Sequence, residues 1–322
     1  MNKKVSRREF LQASVAGAVM SATARPFATP NPPSKAFRGT LCLFSKPVPQ
    51  LNWRELARNA RQAGFDGIDL TVRTEGHVLP ERVATDLPRA VAAIREEGLE
   101  VPMITTALLS ADDPTAKQII STAGELSIPY LKPGYYRYKL VNVLQEVDGA
   151  GRQLRSLVEL AKDHGIQVGY HNHPRYIGEA IWDMARVIEP LDPQWCGFYF
   201  DLCQATMEGG VSGWRVATSL VLPRLKMIAA KDFVWKQTAP HEWRAETCPM
   251  GEGMSNWKEF FKIVAQSDFH GPVSLQQEFA IPGAADHQGI AVSRKAIPRV
   301  IQSAKENLDY LKSVIREAYE RA

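Results

Sequence analysis

From residue 37 onward the chain alternates short runs rich in β-branched and aromatic residues with longer stretches in which apolar residues recur every three or four positions. The short runs GTLCLF, GIDLTV, VPMITT, IPYLK, QVGYH, CGFYFD, LKMIAAK and PVSLQQ each predict a strand. Between them, stretches such as NWRELARNARQAG, LPRAVAAIREEG, GAGRQLRSLVELAKDHG and NWKEFFKIVAQSDFHG predict amphipathic helices, several closing on a glycine that stops the helix before the next strand. This alternation predicts an α/β protein with a single (β/α)8 barrel over residues 37–322, whose C-terminal stretch SRKAIPRVIQSAKENLDYLKSVIREAYERA supplies the closing helix. An open doubly wound sheet would carry a glycine-rich phosphate turn after its first strand, and LCLFSKPVPQ has none. One segment, WKQTAPHEWRAETCPMGEGMSNW, lacks strand character and predicts a long functional loop, a lid that brings Glu252 to the site.

Function in such a barrel sits at the C-terminal ends of the strands, so the polar residues there carry the chemistry. Period-2 alternation turns Val168 and Tyr170 towards the helices and Gly169, His171 and His173 inward. In the same way Asp201 points inward at the end of CGFYFD, with Gln204 three residues on as a candidate substrate contact, and Ser274, Gln276 and Glu278 point inward from PVSLQQEF. Imidazole, carboxylate and amide groups thus converge, a mixture that suits a divalent ion of the Mn, Co, Mg or Zn type. Blander roles stay open: hydrogen-bonded structural histidines, Asp201 as a helix N-cap, and Gln276 as a plain amide at the core mouth. Lys231, ending LKMIAAK, reaches the mouth and could polarise a carbonyl or move a proton, or else pair with Asp232. Arg73 and His77 after the second strand, and Lys132 and Arg137 with Tyr135 after the fourth, are candidates for holding sugar hydroxyls or stacking on a carbohydrate ring.

Charge and cysteine usage narrow the classes further. Residues 1–28 follow the layout of a twin-arginine export signal, with Arg7-Arg8 ahead of an Ala/Gly-rich run too short for a stable membrane span, and residues 29–36 form a Pro-rich linker. The expected location is therefore the periplasm. Lys3, Lys4, Arg7, Arg8 and Arg25 against Glu9 account for the whole of the chain's net charge of +4. The remainder is near neutral and lacks the basic stripe that a nucleic-acid partner demands. Cys42, Cys196, Cys203 and Cys248 form no CxxC pair, which argues against a structural zinc site and favours buried free thiols.

The blocks GIQVGYHNH, GFYFDLCQATMEGG, IAAKDF, MGEGMSNWKEFF and GPVSLQQEF, in that order, resemble the xylose-isomerase-like TIM barrels of the sugar phosphate isomerase/epimerase superfamily, which share their fold with endonuclease IV. The resemblance is strongest to an exported subgroup with YHNH, KDF and GPVSL blocks. It implies a divalent metal held by Glu, Asp, His and Glu from strands five to eight, and a proton transfer between adjacent carbons. Here His171 stands at the first Glu, Asp201 matches, Ala229 stands at the His, Gln276 at the last Glu, and Gln204 replaces the histidine of the Asp-x-x-His block. The corresponding metal site is His171, Asp201 and Gln276, completed by water or substrate oxygens. The expected activity is that of a sugar isomerase or epimerase: Glu278 or His173 abstracts a proton next to a carbonyl, and the metal, or Lys231 in its place, stabilises the enediolate. The alternatives are a lyase or dehydratase on keto-sugars or 3-keto-glycosides, and a non-catalytic carbohydrate-binding barrel. The expected partner is a small carbohydrate.

Overall fold

The computed structural model describes residues 36–286 and 288–322; the segment expected to be an export signal and all but the last residue of the expected linker lie outside them. Eight strands among the described residues close into a parallel barrel: β1 Leu41–Phe44, β2 Gly67–Val72, β3 Glu100–Thr106, β4 Tyr130–Lys132, β5 Gln167–His171, β6 Cys196–Asp201, β7 Leu225–Ala230 and, after an intervening hairpin, β10 Val273–Leu275. They run in sequence order around the barrel, and β10 closes it by pairing with both β7 and β1. The helices are α1 Trp53–Ala63, α2 Val83–Glu96, α3 Ala116–Glu125, α4 Val143–Asp163, α5 Ile181–Ile188, α6 Leu202–Val221, α7 Trp257–Ala265 and α8 Ile297–Glu320. None of them is long and apolar enough to cross a membrane.

Local chemistry sets the element boundaries. At α1, Asn52 and Glu55 form a reciprocal capping box, and Gly64 ends the helix at φ 92°, a left-handed conformation that glycine adopts without strain. The apolar faces of the helices and the outward residues of the strands share one large core. The barrel interior holds a second, small cluster of Met103, Tyr199, Met227 and Ala229. Gly169 in mid-strand belongs to that interior: a Cβ there would collide with the terminal methyl of Met227, so the missing side chain lets the methionine fill the barrel floor.

The segment expected as a lid loop is instead the antiparallel hairpin β8 Asp232–Ala239 and β9 Glu242–Cys248. Both its faces are largely solvated, so no apolar alternation marks it in the sequence, and its register is held by the backbone ladder with cross-strand contacts such as Lys236 to Glu246 at 2.5 Å. Asp232 fastens the return by accepting backbone N–H bonds from Gly251 (3.1 Å) and Ser255 (3.0 Å). All four cysteines are unpaired, and Cys42, Cys196 and Cys203 are buried.

Candidate active site

Strand order brings the ends of β5, β6, β7 and β10 side by side, and with them a compact ionic cluster. Asp201 closes β6 and caps α6: its Oδ1 accepts the Gln204 N–H at 3.0 Å, leaving Oδ2 free to face inward. That oxygen meets the Lys231 ammonium at 3.0 Å and His171 Nε2 at 3.1 Å. The Asn172 side chain locks the β5–β6 junction, accepting the Asp201 N–H (2.8 Å) and donating to its carbonyl (3.0 Å). Lys231, just past β7, also lies 3.2 Å from Glu278 Oε2 and 3.3 Å from Gln276 Oε1. Glu278 receives a second cation, Lys46 from the loop after β1, at 2.6 Å. Gln276 donates in turn to the Tyr199 hydroxyl at 3.0 Å.

Burial opposes every charge in this cluster, and the partners decide the outcome. For Lys231, burial pushes the ammonium down, but Asp201 and Glu278 outweigh it and hold the group well above the ordinary lysine range. Burial pushes Glu278 up, and Lys231 with Lys46 overcomes it to leave the carboxyl far below its usual range; Asp201 is lowered in the same way, by Lys231 and His171. For His171 burial wins, bringing its pKa to about 4, and burial with the Lys231 charge takes His173 to about 3. His171 is thus a neutral imidazole whose Nε2–H donates to Asp201, leaving Nδ1 to accept the Tyr135 hydroxyl at 2.7 Å.

Lys132, from the end of β4, behaves oppositely. It is buried, yet among the described residues its Nζ has neither a carboxylate nor a hydrogen-bond acceptor; it rests 3.4 Å from the ring centroid of Tyr135. A cation–π contact contributes about 0.5–2 kcal/mol, whereas removing an ion from water costs several. Burial, followed by the Arg73 charge, therefore drives Lys132 well below the ordinary lysine range.

These groups surround a cavity of about 80 Å³ at the barrel mouth. By the measure that gives one water ~10–15 Å³, it holds a handful of waters or a small polar ligand. Arg73, Lys132, His171, His173, Lys231, Gln276 and Glu278 all line it, and Asp201 lies beneath Lys231. Four other expected contacts lie elsewhere. His77 turns its ring to Thr71 and its carbonyl to the Trp53 indole, Arg137 stacks on Tyr176 beside an outer groove, Gln204 is held at the α6 cap, and Glu252 is exposed beyond the hairpin because that segment folds away as β-structure. Lys46 and Thr105 line the cavity without having been expected there. Asp69, the one charge in the apolar run GIDLTV, was not expected either; it lies behind the lining, accepting from Thr105 and Ser274 at 2.7 Å each, and burial raises its pKa to about 6. That isolated aspartate on the inward parity was the available sequence signal.

The expected set of His171, Asp201 and Gln276 does not fit a divalent ion, since both ring nitrogens of His171 are engaged, Nε2 with Asp201 and Nδ1 with Tyr135. The position among the Asp201, Gln276 and Glu278 oxygens holds the Lys231 ammonium, so a dication bonded to them would be pressed against a fixed positive charge. Among the described residues no group of three His, Cys, Asp or Glu side chains is arranged to hold a metal.

The closed parallel barrel with a polar mouth defines a class, and the chain belongs to the xylose isomerase-like TIM barrel family, whose model matches residues 57–313. Among curated proteins it is 22% identical over 215 residues to inosose dehydratase of Mesomycoplasma hyopneumoniae (strain 7448). That match covers 62% of this chain and 65% of the relative, just under two thirds of its length. A xylose isomerase-like TIM barrel protein from Mycobacterium smegmatis, solved with magnesium, superposes with a TM-score of 0.63 at 15% identity, covering 86% of this chain and 98% of that one. D-Psicose 3-epimerase from Clostridium cellulolyticum H10, solved with D-tagatose, gives 0.62 at 10% identity, covering 86% and 99%. At these identities the structures attest the fold.

Proposed function

We propose that the protein is a sugar-transforming enzyme that removes a proton next to the carbonyl of a small polyhydroxylated ketone and completes the reaction by expelling the β-hydroxyl, a dehydration. The observation that carries this reading is the Lys231 ammonium, held charged inside the cavity by Asp201 and Glu278 and facing the space a carbonyl oxygen would enter. A fixed cation in a site of low dielectric stabilises the enolate oxygen and reorganises little as charge develops. Elimination needs a base on only one face of the substrate, and among the described residues Glu278 is the one carboxylate lining the cavity. The dehydratase relative supports the same outcome. Epimerisation is the second reading: neutral His173 also lines the cavity and would put a second proton-accepting group at the site, and a fold neighbour is an epimerase. Export through the twin-arginine pattern belongs to the proposal and fits a role on free sugars.

The test is incubation of the chelator-treated protein in D2O with a 3-keto-glucoside and a keto-inositol, followed by NMR. Deuterium entering beside the carbonyl, together with an unsaturated ketone, is the expected result. An isomer formed without elimination selects the second reading. Loss of exchange on chelation, restored by a divalent ion, contradicts the lysine-held enolate.

A further inference from the structure

Two lysines share this cavity in opposite circumstances. Lys231 is gripped by two carboxylates and an amide oxygen within 3.3 Å, whereas among the described residues no carboxylate pairs with Lys132, whose Nζ lies over the face of Tyr135. The other groups able to accept a proton are poorly suited to it. Glu278 is clasped by Lys46 and Lys231, the lone pair of His171 Nδ1 is already engaged by the Tyr135 hydroxyl, and His173, its Nδ1 turned to the Pro174 carbonyl, is made a weak base by burial beside the Lys231 charge. We infer that Lys132, as a neutral amine, is the base that takes the substrate proton, while Lys231 is the permanent cation that faces the carbonyl oxygen. This assignment rests on the proposed function and replaces Glu278 and His173 in the role of base.

The step balances within the pocket. The amine lone pair accepts the proton from the carbon beside the carbonyl; the C–H pair becomes the carbon–carbon double bond, and the carbonyl π pair moves to the oxygen facing Lys231. The Lys132 ammonium then returns that proton to the β-hydroxyl, which leaves as water as the enolate collapses to the unsaturated ketone. Lys132 ends neutral, and no co-reactant is consumed. Opposite perturbation of two like groups is how a single site divides the role of base from that of fixed charge. The charged or titratable groups around Lys132 are Asp69 from β2, Arg73 just past it, Tyr135, His171, Lys231 and Glu278, with Lys46, His173 and Tyr199 on the same cavity.

Lys132→Arg keeps a positive charge but cannot accept a proton at any usable pH, so it separates a base from a binding cation. In D2O exchange with a 3-keto-glucoside, Lys132→Arg and Lys132→Gln should each lower kcat by about a hundredfold or more with KM little changed, the size expected of a lost general base. The wild-type rate should rise with pH along a limb that survives in Glu278→Gln and Tyr135→Phe. A measurement free of turnover accompanies this: in protein carrying 13C at lysine Cε, one resonance, absent from Lys132→Arg, should titrate well below the other lysines. That signal persisting while the wild type exchanges no substrate hydrogen would sink the proposed reaction and leave the neutral amine standing. A Lys132 that stays an ammonium throughout, near-normal exchange by Lys132→Arg, or a limb that vanishes in Glu278→Gln would overturn the inference.

Discussion

Replacing Lys231 with methionine is the most demanding test of the ionic cluster, because it removes charge while nearly keeping volume. Asp201 has no solvent exposure, so its carboxylate would be left with only a neutral imidazole and an N-cap hydrogen bond. Breaking a buried pair from one side costs about 3–5 kcal/mol, since the remaining ion stays desolvated. For about 285 described residues, with an unfolding entropy of about 2.1 cal/mol/K each, that corresponds to a fall in Tm of about 5–8 °C. Differential scanning calorimetry at neutral pH measures it. The double variant Lys231→Met with Asp201→Asn should melt above Lys231→Met alone, because no uncompensated charge remains. Excess Mn2+ should raise the Tm of Lys231→Met and leave the wild type unmoved, since the single variant opens the Asp201, Gln276 and Glu278 oxygens to a cation that binds only the folded state. A Lys231→Met protein that melts with the wild type, or a double variant less stable than the single, would refute the reasoning that the ammonium balances a buried carboxylate.

Stability should fall with acid: the folded pKa of His171 is depressed from 6.5 to about 4, so its contribution, about 3 kcal/mol, is complete above about pH 6.5 and is lost as pH drops towards 4. His173, depressed to about 3, acts in the same direction, while Asp69, raised to about 6, favours the fold at low pH and offsets part of the loss. Urea unfolding at pH 7.5, 6 and 5 should show a declining free energy, and a flat profile would count against neutral buried imidazoles. Gly197→Ala in β6 should cost several kcal/mol or abolish soluble expression, because a Cβ there would strike the backbone carbonyl of Arg224, which cannot swing aside as a side chain can; a soluble variant melting within 2 °C or so of the wild type would contradict this.

The barrel was legible because burial on a closed sheet forces period-2 alternation, which shows in QVGYH and CGFYFD as clearly as in the structure. The hairpin β8–β9 was hidden for the complementary reason: Lys236, Arg244 and Glu246 face solvent, so no buried face shapes the sequence. At the site, parity sufficed to turn His171, Asp201, Lys231, Gln276 and Glu278 inward, but it could not say which would pair. Asp232, next in sequence to Lys231, was the obvious counter-ion, yet it holds the return of the hairpin, and Lys231 reaches across strands to Asp201 and Glu278. Lys46 escaped notice because a loop residue has no parity to read. The contrast between Lys132 and Lys231 depends on neighbours far away in sequence, and neither sequence position nor residue type reveals it.

The tethering of the central cation to the backbone changes how the site comes into being. A dissociable ion must be recruited, can be exchanged for a competitor, and is lost to dilution or a chelator. The Lys231 charge arrives when the chain folds, in fixed proportion to the protein, and its place among Asp201, Gln276 and Glu278 is earned by the same event that closes the barrel. Maturation and folding become one step, and the vulnerability moves from ion supply to the interval before folding, when that amine is still open to any electrophile in solution.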